Sequence, residues 1–309
     1  MLGMGRILAR RSRAPGADPC SHRAVAADGP DDVAPVTSPA MTDLPSSTPA
    51  PARADRPLAV VTGASRGIGR AVVDELVARG HDIVAVARDA AALAALASAV
   101  QQGAAADAGA PVVHTVAADL ATAGGVDAVV AAVRALGRPL DVLVHAAGVA
   151  YAGASTEGAD EAFAAHGAIN VGAPMRLTAG LLPELRVAAG LIVVVNSAAA
   201  LRVAGGFAAY AASKTALRTW ADTLRVELAG QGVRITSIYP GQVATDMQEA
   251  IYAARGDAYD PTVLLDAREV ASVVGFVVDH PAAELTDVSV RSATGGYAAR
   301  PAAPPPATA

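Results

Sequence analysis

The sequence predicts an α/β fold, a doubly wound parallel sheet of the Rossmann type with about seven strands, in one domain with disordered tails. Two observations carry this. Short runs of continuous Val/Ile/Leu character alternate with longer stretches of helical periodicity, which is how strands covered on both faces read. A glycine-rich turn follows the first such run at once, and no internal repeat competes.

The elements follow in order. Leu58–Val61 is a β-branched run ending in the glycine turn. Ile68–Ala78 recurs at helical spacing and stops at Gly80, a good residue just past a helix end. Ile83–Ala87 is the second strand, and Asp89 is placed to cap an Ala/Leu-rich helix. Val112–Ala117 is the third strand and Val126–Leu136 its helix. Val142–Val144 and Leu191–Val195 are the fourth and fifth strands, a long helix runs from about Ala208 to Leu228, and Arg234–Ile238 is the sixth strand. A helix near Ala267–Val278 and a strand near Val288–Val290 complete the series. Right-handed crossovers then place ligands at the carboxyl ends of the strands.

Residues 1–56 are rich in Pro, Ala, Ser and Asp without apolar periodicity, and 299–309 are Pro/Ala-rich. Neither tail buries enough apolar surface to offset the entropy of ordering it. Residues 57–298, roughly 240 of them, suit one large domain. Arg6, Arg10, Arg11 and Arg13 invite a targeting reading, but the apolar stretch beside them is too short for a secretory signal. Met41 is an alternative start.

A net charge of -5 argues against a nucleic-acid surface. Although 53% of residues are hydrophobic, alanine supplies much of this. No run of about 18 strongly apolar residues spans a membrane. The single cysteine, Cys20, permits no internal disulfide and no thiolate metal cluster, and it suits a reducing cytoplasm.

Thr62 to Gly69 reads Thr-Gly-Ala-Ser-Arg-Gly-Ile-Gly, between the first strand and its helix. Glycines there let the backbone turn sharply toward a pyrophosphate, whose charge meets the free N–H groups of the helix start. The end of the second strand chooses the cofactor. A carboxylate there would hold the ribose hydroxyls of NAD, but the chain has Ala87 and Arg88, with Arg66 on the facing turn. Two guanidinium groups suit a phosphate dianion, hence NADP(H).

Tyr210 and Lys214 stand four residues apart at the start of the long helix, on one face. A nearby Lys⁺ lowers a phenol's pKa toward a useful acid/base range. The pair follows the fifth strand, which ends in Asn196-Ser197 at the edge where ligands bind. Taken singly, Tyr-x-x-x-Lys means little; order and position make it specific.

With these residues in place, the chain resembles the short-chain dehydrogenase/reductase family, in its single-domain, NADP-preferring form, over about Pro57 to Tyr297. The Thr62–Gly69 turn matches the family's TGxxxGxG motif. The resemblance implies a catalytic set of Asn170, Ser197, Tyr210 and Lys214: Asn170 holding a water of the proton relay, Ser197 bonding the substrate oxygen, and Lys214 also holding the nicotinamide ribose. It implies cofactor contacts from Gly63, Ser65, Arg66, Gly67, Ile68, Gly69, Arg88, Asp119 (toward the adenine amino group), Leu120, Ala147, Gly148, Tyr210, Lys214, Pro240, Gly241, Val243 and Thr245 (toward the carboxamide). One departure is visible: the family's usual Asn-Ala-Gly after the fourth strand reads His145-Ala146-Ala147-Gly148 here. No second ligand has the spacing to make His145 part of a metal site.

The expected activity is therefore NADP(H)-dependent interconversion of a ketone or aldehyde and an alcohol. A non-catalytic NADP-binding sensor on the same fold is the alternative, though all four catalytic residues are present. An epimerase or dehydratase relative would carry a larger carboxyl-terminal domain. Substrate choice is expected from Val149–Gly153, Leu201–Phe207 and the lid-like stretch Ala244–Leu265, with Met247, Ile251, Tyr252 and Tyr259. Trp220 is either core or an assembly contact. The resemblance implies a homodimer or homotetramer acting on a small molecule, with neither nucleic acid nor membrane as partner.

Overall fold

The computed structural model describes residues 56–103, 109–153, 158–202 and 205–293. The tails at 1–55 and 294–309, and with them the arginine cluster, Met41 and Cys20, lie outside the described residues. Seven strands form one sheet: β1 (Leu58–Thr62), β2 (Asp82–Ala87), β3 (Val113–Ala117), β4 (Val142–His145), β5 (Leu191–Val195), β6 (Arg234–Pro240) and β7 (Asp287–Val290). Their order is β3-β2-β1-β4-β5-β6-β7, and every pairing is parallel. The winding reverses between β1 and β4, where Thr62 sits in register with both Val86 and His145. That reversal opens a crevice at the carboxyl ends of the strands.

Helices cover both faces because each central strand is apolar on both. Val60, Val84, Leu143 and Val194 point toward α3 (Ala123–Ala135), α5 (Ala173–Ala188) and α6 (Ala208–Glu227). Their neighbours Ala59, Val61, Ile83, Ala85, Val144 and Val193 point toward α1 (Gly67–Ala78), α2 (Ala90–Gly103) and α8 (Ala267–Asp279). Each fully buried Val or Leu among them contributes about 1.5–3 kcal/mol. Asp89 caps α2, its carboxylate accepting the Ala92 N–H at 3.0 Å. The amino-terminal edge is closed by polar staples: buried Asp82 accepts from the Val112 N–H at 2.9 Å and from Arg138 at 2.6 Å.

The structure corrects the sequence reading in two places. No element was expected between Val144 and Leu191, yet α4 (Ala159–His166), a π-helical turn (Gly167–Gly172) and α5 run there almost without a break. Pro183 inside α5, Pro174 at its start and the glycines of the turn hid this periodicity. The expected lid loop contains α7 (Asp246–Arg255) and a short 3₁₀ turn, Pro261–Val263. Trp220 packs against the core as a half-buried ring, edge-on to His145 with centroids 6.2 Å apart. No helix among the described residues is long and apolar enough to cross a membrane.

Candidate active site

The crevice is a cleft of about 1010 Å³. Its walls include Gly63, Ser65, Arg66, Gly67, Ile68, Gly69, Arg88, Asp119, Leu120, Ala147, Gly148 and Thr245. Twelve of the expected cofactor residues, from five separate segments, therefore meet there. Pro240, Gly241 and Val243 do not line it: Gly241 N–H donates to Val290 O at 2.8 Å, and Val243 bridges Leu265 at the base of the segment that carries α7. The sequence reading missed Asp246, Ala165, Ala168 and Ile169, which also line the cleft. A signal for the first existed, since Thr245-x-x-Gln248 is a capping-box pattern: Thr245 Oγ1 accepts the Gln248 N–H at 3.4 Å.

The glycine turn fits a dinucleotide's phosphates. Gly63 has φ +68°, and a Cβ there would lie 2.9 Å from Ala147 Cα. A Cβ on Gly69 would drive into the Gly63 carbonyl oxygen. The start of α1 carries neither a side-chain cap nor an acidic residue in its first turn, so its N–H groups are open to an anion. Behind the turn, buried Thr62 ties β1 to β4, its hydroxyl accepting from Ala146 N–H at 3.0 Å and Ala147 N–H at 3.1 Å while donating to Val144 O at 3.2 Å. Arg88 is exposed at the rim. The Asp119 carboxylate accepts from Ala121 N–H within its own loop at 3.0 Å.

The catalytic candidates adjoin the cleft at Gly148. A Cβ on Gly148 would stand 3.1 Å from Asn170 Oδ1 and 3.9 Å from Lys214 Nζ. Ser197, at the end of β5, accepts from Ala199 N–H through its hydroxyl oxygen at 3.1 Å. Its own proton remains available, and it faces the Tyr210 phenol. Asn170 lies buried in the π turn, accepting from Val149 N–H at 2.9 Å and donating to Val149 O and Ser213 Oγ at 3.0 Å each. Ser213 in turn donates to Tyr210 O at 2.7 Å. The π turn thereby fixes both the loop after β4 and the first turns of α6.

Electrostatics reverse one expectation. Lys214 was expected to lower the Tyr210 pKa, but in the structure the phenol is raised by burial, with the Ser197 hydroxyl opposing. Lys214 Nζ sits 6.0 Å from the Tyr210 ring centroid and donates to Val195 O at 3.0 Å. Burial lowers Lys214 itself to about 8. Desolvation is the leading cause for both groups.

Two histidines complete the surroundings. His145 is buried against Thr178, Nε2 to Oγ1 2.8 Å, and burial lowers it to about 3, so it stands neutral. His166, missed by sequence reading because nothing marks a lone helical histidine, is fully buried. Its Nδ1–H donates to Ala162 O at 2.6 Å and its Nε2 accepts from Tyr151 N–H at 3.2 Å. Its ring meets Tyr151 and Tyr210 edge-on, with centroids at 5.2 and 5.9 Å. Two of the expected substrate segments also join, Gly153 N–H donating to Gly206 O at 3.0 Å.

Comparison with known proteins agrees with this geometry. The family model described as short chain dehydrogenase matches residues 57–256. An oxidoreductase of Mycobacterium tuberculosis is 39% identical over 255 residues, covering 80% of this chain and 96% of the relative. One of Staphylococcus saprophyticus is 31% identical over 237 residues, covering 76% and 96%. Among solved structures, L-sorbose reductase of Gluconobacter frateurii, complexed with NADPH and L-sorbose, superposes with a TM-score of 0.69 at 28% identity, covering 77% of this chain and 95% of that one.

Proposed function

This chain belongs to the short-chain dehydrogenase family, and from that membership we propose that it is an NADP(H)-dependent oxidoreductase interconverting a ketone or aldehyde and an alcohol, with Tyr210 as general acid/base. The observation that carries this is the convergence of Ser197, Tyr210, Lys214 and Asn170 beside a cleft whose glycine turn fits a dinucleotide.

The residues divide the work by chemistry. The Gly63–Gly69 turn and the start of α1 hold the pyrophosphate, Arg66 and Arg88 the 2′-phosphate, Asp119 and Leu120 the adenine. Ala147 and Gly148 line the middle of the cleft, Lys214 holds the nicotinamide ribose, and Thr245 the carboxamide, with Pro240, Gly241 and Val243 seating the last. The cofactor supplies a hydride equivalent at its nicotinamide ring. Ser197 donates a hydrogen bond to the carbonyl oxygen, and Tyr210 delivers the proton that turns it into a hydroxyl. Burial keeps the phenol protonated at neutral pH, the form that reduction needs. In the reverse direction Tyr210 takes the alcohol proton. Asn170 holds Val149 and Ser213 in place and keeps one acceptor position on Oδ1 for a water beside Lys214. Relatives of the fold crystallised with NADPH support the cofactor assignment.

Membership of the family supports an assembly of two or four copies. The single cysteine suits a cytoplasmic setting.

The test is a panel of ketones and aldehydes with NADPH and NADH, read by loss of reduced-cofactor absorbance, with Tyr210→Phe alongside. Turnover with NADPH that falls at least about a hundredfold in the variant is expected. Unchanged turnover refutes the proton-transfer role. Tight NADPH binding without turnover on any carbonyl favours the sensor.

A further inference from the structure

Arg66, the guanidinium proposed for the 2′-phosphate, already has a partner in the structure. Its Nη1 lies 3.1 Å from Asp246 Oδ2, and both residues line the cleft. The two come from opposite walls. Arg66 caps the start of α1 on the glycine turn, whereas Asp246 is the first residue of α7. Packing sets this approach: the Thr245 methyl lies 3.3 Å from where a Cβ on Gly67 would stand, so the first turn of α7 rests on the glycine turn. The other end of α7 is also held, with the Arg255 guanidinium 5.6 Å from the Phe207 ring centroid. Asp246 therefore meets Arg66 through a helix fixed at both ends.

A guanidinium presents one rigid fork of donors, and a carboxylate and a phosphate ask for the same fork. A carboxylate that stays beside a bound phosphate dianion also repels it. Neither effect touches a cofactor that lacks the 2′-phosphate. We propose that Asp246 is a specificity-determining residue: its carboxylate competes with the cofactor's 2′-phosphate for Arg66 and sets how strongly the enzyme prefers NADP(H) over NAD(H). The inference rests on the reading of Arg66 as a phosphate ligand.

The test measures binding, not turnover, on the full chain. Dissociation constants for NADPH, NADH, adenosine 2′,5′-bisphosphate and 5′-AMP are compared in the wild type, Asp246→Asn, Arg66→Ala and the double variant, by titration calorimetry. Asp246→Asn should tighten NADPH and the bisphosphate by about two- to fivefold, the range an exposed ion pair supports. NADH and 5′-AMP should stay unchanged. The gain should shrink in the Arg66→Ala background, where only the direct repulsion is left to relieve, and shrink with added salt. NADPH affinity that stays the same or weakens in Asp246→Asn overturns the proposal, as does equal tightening of NADH. A wild type that binds NADPH no better than NADH, with Arg66→Ala without effect, removes the reading of Arg66 itself.

Discussion

Replacing Lys214 with methionine should stabilise the chain while abolishing turnover. Lys214 is 5% exposed, and burial holds its pKa at about 8 against 10.5 for a free side chain. That difference makes the buried charge cost roughly 3 kcal/mol at neutral pH. Against it stands the hydrogen bond from Nζ to Val195 O at 3.0 Å, which methionine cannot make. Losing that bond takes back about 1 kcal/mol. Methionine fills a similar volume, so the net gain is about 2 kcal/mol, or about 4–8 °C in Tm for a domain of this size. The pH dependence gives a second reading. Between pH 8 and 10.5 the unfolded chain keeps a proton that folded Lys214 has released, so wild-type stability rises with pH across that window. The advantage of Lys214→Met is thus full below pH 8 and shrinks toward 10.5. Thermal melts by circular dichroism at several pH values decide the matter. A variant that melts lower than wild type at neutral pH, or a difference that stays flat through the window, refutes the reasoning that burial dominates this lysine.

Two further perturbations follow from the same geometry. His145, lowered to about 3 from 6.5 by burial, must stay neutral where the unfolded chain is protonated, so wild-type stability falls as pH drops through that interval. His145→Asn removes the imidazole that burial holds neutral and should gain on wild type by several kcal/mol between neutral pH and about pH 4, read from urea midpoints; a pH-independent difference counts against it. Gly69→Ala places a methyl group against the Gly63 carbonyl and should weaken NADPH binding by at least about tenfold, whereas Gly124→Ala, with nothing within 4 Å, should be neutral or slightly stabilising. Equal affinities in the two variants would show that the turn tolerates the group.

The seven strands, five of the helices (α1, α2, α3, α6 and α8) and the order of the candidate site residues were legible in the sequence, because each depends on local pattern. Continuous Val/Ile runs report a sheet buried on both faces, and Gly63, Gly67 and Gly69 report a turn that must pass close to something. The region from α4 to α5 was not legible. Pro174, Pro183 and the glycines of the π turn are poor helix formers, and packing of α5 on the sheet overrides that preference. The π turn places Asn170 against Val149 and Ser213 at once.

Sequence by itself determined the family and the fold of this chain, since the glycine turn, Ser197, Tyr210 and Lys214 follow strand ends whose position the alternation already fixes. Tertiary structure alone decided the electrical state of those groups. Tyr210 and Lys214 are neighbours on a helix in either account, but only their burial shows that desolvation, not mutual attraction, governs both. Likewise, nothing in the chain's order links Arg66 to Asp246, or His166 to Tyr151 and Tyr210. Those meetings arise because the sheet brings residues from distant segments to one edge, where contact and exclusion of water set what each side chain can do.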